Sequence, residues 1–335
     1  MFYRAIHRFK FGGLCALIAA TAMLSSCGGQ KDHATPAAAT SATPATITSA
    51  IAVPNLVDVI KADPRFSILA EAVVAADLAG ALSGPGPLTL FAPTNDAFAL
   101  LLAELNVSKV QLLADKALLA SVLSYHVLPA KVAKADVPVG KAITTLQVGI
   151  FKIDSVGSDL VVTDGRNRTA RITQTDISAS NGLVHVLDKV LLPANKTLIE
   201  TLQTKPELSV LIETINAAGL AGALNAAGPF TLFAPTNDAF AALFAELKIT
   251  KSQMLANPAL ITTVLNYHLL SSRVLKAEVP VGSPIKSVQG STFVIDAGFV
   301  ITDQLGRKSK ITATDLLASN GVIHVIDKVI SPPVR

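Results

Sequence analysis

The sequence predicts an α+β protein made of two similar domains in tandem. The run Gly86–Phe98 returns almost unchanged as Gly228–Phe240, 142 positions later, and the run Asn181–Val190 returns as Asn320–Val329. Within each repeat, segments with helical periodicity come first and short β-rich segments follow. A period near 140 residues is far longer than the roughly 20–50 residues of solenoid repeats and fits a globular domain. We therefore expect two domains of one fold, and a duplication of this kind favours binding over catalysis.

Residues 1–26 are predicted to be a lipoprotein signal peptide. Basic residues precede an apolar stretch, Leu14–Leu24, which is too short to cross a bilayer as a helix but suits a signal peptide. The run Leu24–Cys27 resembles a bacterial lipobox, so Cys27 is the predicted lipidation site. A plain signal peptide with an incidental cysteine is the alternative. In a host with two membranes, Gly28 after the cysteine resembles the signal for outer-membrane sorting, so the predicted location is the cell envelope, at the outer membrane or the cell surface.

Residues 27–51 are predicted to be a flexible tether, because Gln30–Ala50 is rich in Ala, Thr, Pro and Ser and has little apolar bulk. The first domain is predicted over residues 52–193 and the second over residues 194–332. The linker at Pro193–Lys196 is short, so the two domains should lie close together.

Composition excludes several function classes. The chain has two cysteines, Cys15 in the signal peptide and Cys27, so the domains can hold neither a disulfide nor a thiolate metal site. The formal net charge of +4 falls to +1 once the signal peptide is removed, because that segment carries three basic residues: Arg4, Arg8 and Lys10. A near-neutral chain without Trp lacks the features of a nucleic-acid-binding protein.

In the first repeat, the elements follow from periodicity and turn residues. Thr94 is the expected N-cap of a helix, with Asp96 in its first turn; Asp238 is its equivalent. Predicted helices cover Asn55–Ile60, Phe66–Val74, a segment after Thr94, a segment near Ser108, and Lys116–Tyr125. Predicted strands cover Leu88–Ala92, Thr145–Val148, Ile150–Asp154, Leu160–Thr163, Ala170–Thr173 and Leu183–Leu192. Tight turns are expected at Asp164-Gly165 and Asn181-Gly182.

Three motifs, each found twice and in the same order, resemble the signature of fasciclin domains. The first is the Thr-Leu-Phe-Ala-Pro-Thr-Asn-Asp-Ala-Phe box and the second is a Tyr-His pair. The third is the Asn-Gly-x-x-His-x-x-Asp-Lys-Val box. The resemblance covers roughly residues 52–193 and 194–332. It implies a compact α+β domain, a wedge or small sandwich of two β-sheets flanked by helices.

The resemblance also implies a role in cell adhesion through a surface or matrix partner. In animal members of the family the Tyr-His region is implicated in integrin binding. That implication falls on four candidate partner-binding residues: Tyr125, His126, Tyr267 and His268. The chain has no Arg-Gly-Asp.

Two other groups of residues admit more than one interpretation. His126 with His185 and Asp188, and His268 with His324 and Asp327, carry ligand types that suit zinc. We favour the structural interpretation, in which each histidine bonds a backbone carbonyl within the core, and predict no metal site. For the basic residues around a hairpin of each repeat, we favour a solvated turn over a patch that binds an anionic partner: Arg166, Arg168 and Arg171, with Arg307, Lys308 and Lys310.

No motif of a hydrolase, kinase or metalloprotease occurs, so we predict that the protein is not an enzyme and needs no cofactor. The leading hypothesis is an envelope lipoprotein, anchored through Cys27, that adheres to a protein or polysaccharide of a cell surface or matrix. The alternative is a carrier of an apolar ligand, a lipid or a carotenoid-like pigment.

Overall fold

A computed structural model describes residues 53–333. The predicted signal peptide, the lipidation site Cys27 and the whole tether of residues 27–51 lie outside these residues. Within 53–333, none of the helices has the length and apolar character needed to cross a membrane.

The helices of the two domains follow the same order. Those of domain 1 are α1 Leu56–Ala62, α2 Ser67–Ala75, α3 Ala79–Ser83, α4 Asn95–Leu105, α5 Lys109–Ala114 and α6 Lys116–Tyr125. Those of domain 2 are α7 Leu198–Leu202, α8 Ser209–Ala217, α9 Ala221–Leu224, α10 Asn237–Leu247, α11 Lys251–Leu255 and α12 Pro258–Tyr267. Short 3₁₀ turns cover Pro64–Phe66, Lys134–Asp136, Pro206–Leu208 and Lys276–Glu278.

Each domain also contains a seven-stranded sheet. In domain 1 the strands are β1 Leu88–Pro93, β2 Val127–Leu128, β3 Ala142–Thr144, β4 Ile150–Val156, β5 Asp159–Thr163, β6 Thr169–Ala179 and β7 Gly182–Leu187. In domain 2 they are β8 Phe230–Pro235, β9 Leu269–Leu270, β10 Pro284–Lys286, β11 Thr292–Ile295, β12 Val300–Thr302, β13 Lys308–Ala318 and β14 Gly321–Ile326. The strand orders are β2-β1-β7-β6-β5-β4-β3 and β10-β11-β12-β13-β14-β8-β9, so the two domains share one topology.

The central strands β1 and β7 pair in parallel and are covered on both faces. Because successive side chains of a strand point to opposite faces, each strand feeds two cores. Leu90 and Val184 join the core formed with the helices, whereas Phe91 and Leu187 join the core formed by β3–β6. The α+β class predicted from the sequence is therefore confirmed.

The capping predictions are confirmed. The Thr94 hydroxyl accepts from the amide of Ala97, and Ser108 begins α5 with a reciprocal bond to Gln111. These bonds satisfy amides that the first turn of a helix leaves without partners. The sequence therefore placed the starts of both helices correctly.

One strand prediction is wrong, and another, Leu183–Leu192, extends five residues past the end of β7 at Leu187. Residues 145–148 form a turn between β3 and β4, in which the amide and hydroxyl of Thr145 both donate to the carbonyl of Gly149. Val148 adopts a left-handed φ of +70°, which a β-branched residue rarely does. The second repeat has Gly290 at this position, also with positive φ, and that glycine was the overlooked signal for a turn.

The domains meet where β4 and the β5–β6 loop of domain 1 contact β13 of domain 2. Ile150 packs with Leu275, Leu317 and Val322 in a small apolar cluster. Asn167 forms two bonds to the backbone of Leu317: its amide nitrogen donates to the carbonyl (3.0 Å) and its oxygen accepts from the amide (2.6 Å). The interface thus combines apolar burial with backbone-directed hydrogen bonds.

An ion pair completes this contact. Lys152 of domain 1 lies 2.9 Å from Asp315 of domain 2, whose side chain is only 2% exposed, and 3.1 Å from Asp154. Burial alone would lower the pKa of Lys152, but its hydrogen bonds and charge interactions with Asp315 and Asp154 outweigh burial and raise that pKa. The lysine therefore stays charged in the contact.

The residues of this contact differ from their equivalents in the other repeat. On the domain 1 side, Ile150, Lys152 and Asn167 correspond to Thr292, Val294 and Gly306. On the domain 2 side, Leu275 and Leu317 correspond to Ala133 and Ser178. The two domains therefore contribute different residues to the contact. These differences are not needed for the core packing that the two domains share.

We predict that Asn167→Gly weakens the coupling between the domains by about 2 kcal/mol, since it removes two hydrogen bonds. Asn167 has a left-handed φ of +61°, so glycine fits the backbone. Chemical denaturation should become less cooperative, with separate transitions for the two domains. Asn106→Gly, at another left-handed asparagine (φ +52°) that makes none of the hydrogen bonds between the domains, is the matched control. Equal denaturation curves for the two variants would contradict this role.

Candidate functional site

The two predicted partner-binding tyrosines are buried. Tyr125 and Tyr267 are both 0% exposed. Tyr125 donates its hydroxyl to the carbonyl of Ile150 (2.5 Å), and Tyr267 donates to the carbonyl of Thr292 (2.7 Å). Burial raises the pKa of both phenols above the ordinary value, that of Tyr267 to about 12. Each tyrosine therefore ties the end of a helix to the neighbouring strand as a neutral donor.

The two neighbouring histidines are also 0% exposed and act in the same way. The Nε2 atom of His126 accepts from the amide of Leu191 (2.9 Å), so the proton is on Nδ1, which donates to the carbonyl of Val122 (2.7 Å). His268 repeats this bridge with Ile330 (3.2 Å) and Val264 (2.8 Å). Burial lowers the pKa of both imidazoles to about 4. Both are neutral clamps between a helix and the end of the domain.

His185 and His324 form a second pair of bridges. The Nδ1 atom of His185 accepts from the amide of Asp176 (3.2 Å), and its Nε2–H donates to the carbonyl of Val132 (2.9 Å). His324 bonds the amide of Asp315 (3.3 Å) and the carbonyl of Val274 (2.8 Å). These bonds hold the loops that follow the two Tyr-His pairs.

The four histidines thus make the backbone hydrogen bonds that the structural interpretation expects. All eight ring nitrogens are engaged with backbone groups, which leaves none free for a metal ion. Within residues 53–333, no group of three or more His, Cys, Asp or Glu side chains is arranged to hold a metal. Partner binding at Tyr125, His126, Tyr267 and His268 stays a prediction. Because all four side chains are buried in this conformation, binding would act through the exposed loops that follow the two Tyr-His pairs in sequence.

The solvated-turn interpretation of the basic hairpin residues is wrong for Arg168 and Arg307. Arg168 pairs with the buried carboxylate of Asp164 (2.8 Å) and with Glu104 (2.6 Å), and Arg307 pairs with buried Asp303 (2.8 Å). Asp164 also accepts from the backbone amides of the loop and of Leu192. Each arginine neutralises a buried aspartate, and that aspartate also accepts hydrogen bonds from the backbone of the loop. The sequence does not show that these aspartates are buried, so it did not predict the ion pairs.

Two cavities bear on ligand binding. An apolar cavity of about 90 Å³ lies between α4, α5 and α6 of domain 1, lined by Phe98, Leu101 and Val122 among others. That volume is well below the roughly 300–1,000 Å³ of typical small-molecule sites, so in this conformation the cavity does not hold a carotenoid-sized ligand. A second, more polar cavity of about 240 Å³ lies between the two domains.

Comparison with known proteins identifies the family. The model of the fasciclin domain matches residues 64–193 and 206–332. The chain belongs to the fasciclin-domain family. Fasciclin domains are found in cell-adhesion and extracellular matrix proteins.

Two relatives illustrate the similarity of this chain to other proteins. Protein sll1483 of Synechocystis sp. is 40% identical over 141 residues, which are 42% of this chain and 73% of that protein. Transforming growth factor-beta-induced protein ig-h3 of Sus scrofa is 31% identical over 253 residues, 75% of this chain and 35% of that protein. The chain thus spans about a third of the length of the ig-h3 protein.

A solved fasciclin-domain pair from fasciclin I, an insect cell adhesion molecule, is 19% identical to this chain. Its TM-score is 0.39, and the match covers 83% of this chain and 96% of that one.

We predict that the two histidine clamps make this fasciclin pair sensitive to acid. His126 and His268 have pKa values of about 4 when folded and about 6.5 when unfolded. Their contribution is complete above pH 6.5 and is lost as the pH falls towards 4, because the unfolded chain takes up protons first. Each histidine should account for on the order of 3 kcal/mol of that loss.

The measurement is the free energy of unfolding between pH 4 and pH 7. A variant carrying His126→Gln and His268→Gln should be less stable at pH 7 but should lose less stability on acidification. An equally steep fall in the variant would show that other groups cause the acid sensitivity.

Proposed function

We propose that this protein is a lipid-anchored envelope protein whose two fasciclin domains form one rigid adhesion unit. Its expected partner is a protein or polysaccharide of a cell surface or matrix. The family supports this proposal, since fasciclin domains are found in cell-adhesion proteins. The predicted lipidation at Cys27 would hold the unit at the membrane, with the tether of residues 27–51 as spacer.

The observation that carries the proposal is the contact between the domains. Its residues have diverged from their equivalents in the other repeat, whereas the cores have stayed alike. A fixed orientation gives two surfaces that a partner meets together, without the entropic cost of ordering two free domains. This arrangement supports an extended partner that touches both domains.

The expected contact surface includes the loops that follow the two Tyr-His pairs. Pro129, Ala130 and Lys131 are exposed, as are Ser271 and Ser272 at the equivalent positions. The sequences of these loops differ between the repeats, although the histidine bonds to Val132 and Val274 are the same. A shared scaffold with divergent exposed loops is the arrangement expected of a recognition surface.

The anchor is tested by Cys27→Ser, which removes the thiol that lipidation needs. We expect the wild-type protein in the membrane fraction of its host and the variant in the soluble fraction. Cys15→Ser is the matched control, because that cysteine lies in the predicted signal peptide. Membrane retention of the Cys27→Ser protein would contradict a lipid anchor at this residue.

The adhesion unit is tested with the full-length chain on whole cells, envelope polysaccharides and matrix proteins. We expect saturable binding that weakens at least about tenfold in Leu317→Ser, which gives domain 2 the residue of domain 1 and loosens the contact. Leu100→Ser, at a leucine that is 56% exposed on α4, is the control and should bind like the wild type.

The two failures are distinguishable. An absence of saturable binding to any surface would contradict the adhesion proposal itself. Equal binding by the wild type and Leu317→Ser would leave adhesion standing and would contradict the need for a rigid pair.

A further inference from the structure

The polar cavity between the domains, which we call the interdomain cleft, is formed by five segments. They are residues 147–150 of the β3–β4 turn and the start of β4, Gly165 in the β5–β6 loop, the linker at Pro193-Ala194, Arg273, and residues 317–319 at the end of β13. Its volume of about 240 Å³ is far more than the roughly 10–15 Å³ that one water needs. The cleft therefore has room for a small ligand, and it exists only because the two domains meet.

Arg273 is the cation of the cleft. Its Nε atom is buried and, among the residues that the structure describes, has no hydrogen-bond partner. Burial lowers the pKa of Arg273, an effect that the charge of Glu278 partly offsets. A buried guanidinium N–H without an acceptor is costly, and a bound anion would remove that cost. The equivalent residue in domain 1, Lys131, is exposed.

Gln147 brings a second polar group without a partner. Its Oε1 atom is buried and accepts no bond from residues 53–333, while its Nε2 lies 3.4 Å from the Ser121 hydroxyl. In domain 2 the equivalent Gln289 is satisfied, because its Oε1 accepts from the amide of Ser291 at 3.0 Å. In domain 2 this turn is therefore closed by a hydrogen bond between the glutamine side chain and the turn backbone. The equivalent turn of domain 1 lacks that bond, and this turn lines the cleft.

The chemistry of these groups defines the ligand. The Arg273 guanidinium selects a carboxylate or another oxyanion. A hydroxyl group satisfies the Gln147 amide, since a hydroxyl both donates and accepts. Ile150, Pro193 and Leu317 supply apolar surface against which the C–H groups of a ligand can pack. A cleft somewhat smaller than typical drug-sized sites fits a ligand the size of one sugar ring.

We propose that the interdomain cleft binds a small polyhydroxylated carboxylate, such as a sugar acid, with Arg273 on the carboxylate and Gln147 on a hydroxyl. The ligand is either free or the terminal residue of an acidic saccharide. This site goes beyond the adhesion proposal and does not rest on it, because it depends only on the contacts that line the cleft.

The test is calorimetric titration of the full-length chain carrying Cys27→Ser, which keeps it free of lipid. The probes are galacturonate, galactose as the uncharged analogue, and a galacturonate trimer. We expect galacturonate to bind with one site per chain and galactose at least about tenfold more weakly, since only the acid engages the guanidinium. Binding of the trimer at equal or higher affinity identifies a saccharide end as the source, and exclusion of the trimer identifies the free acid.

Arg273→Gln should weaken galacturonate binding at least about tenfold, whereas Lys116→Gln, the same loss of a positive charge at an exposed residue of α6 outside the cleft, should leave it unchanged. Gln147→Glu should also weaken binding, because it places a second negative charge in the cleft, and Gln289→Glu should not. The proposal is overturned by equal binding of galactose and galacturonate, by an unchanged affinity in a folded Arg273→Gln variant, or by no saturable binding of galacturonate.

Discussion

The contact between Lys152 and Asp315 is the constraint on which the arrangement of the two domains depends. Asp315 lies in a bulge of β13 with a left-handed φ of +60°, and Asp176 has the same conformation in domain 1. Both carboxylates accept from a backbone amide in the loop after the Tyr-His pair, but only that of Asp315 is also paired with a lysine from the other domain. Removing Lys152 would leave a buried carboxylate without its cation, at a cost of roughly 3–5 kcal/mol.

Much of the fold could be predicted from the sequence because its determinants are local or repeated. Thr94 and Ser108 are residue types that cap helices, so they predicted the first residues of two helices. Histidines within apolar segments predicted hydrogen bonds to the backbone inside the core. The turn at Val148 was missed because its φ opposes the preference of valine. The cleft groups Gln147 and Arg273 are 126 positions apart, and no local pattern links them. A comparison of the repeats did mark the loop that contains Arg273 as divergent.

The central claim is that two duplicated domains act as one rigid body. Residual dipolar couplings of backbone amides in the weakly aligned full-length chain test it most directly, because each domain reports its own orientation. The account predicts that a single alignment tensor fits the couplings of both domains when they are arranged as in the structure. Two tensors of different magnitude or direction would show that the domains move independently, and the interdomain contact would then not define the binding unit.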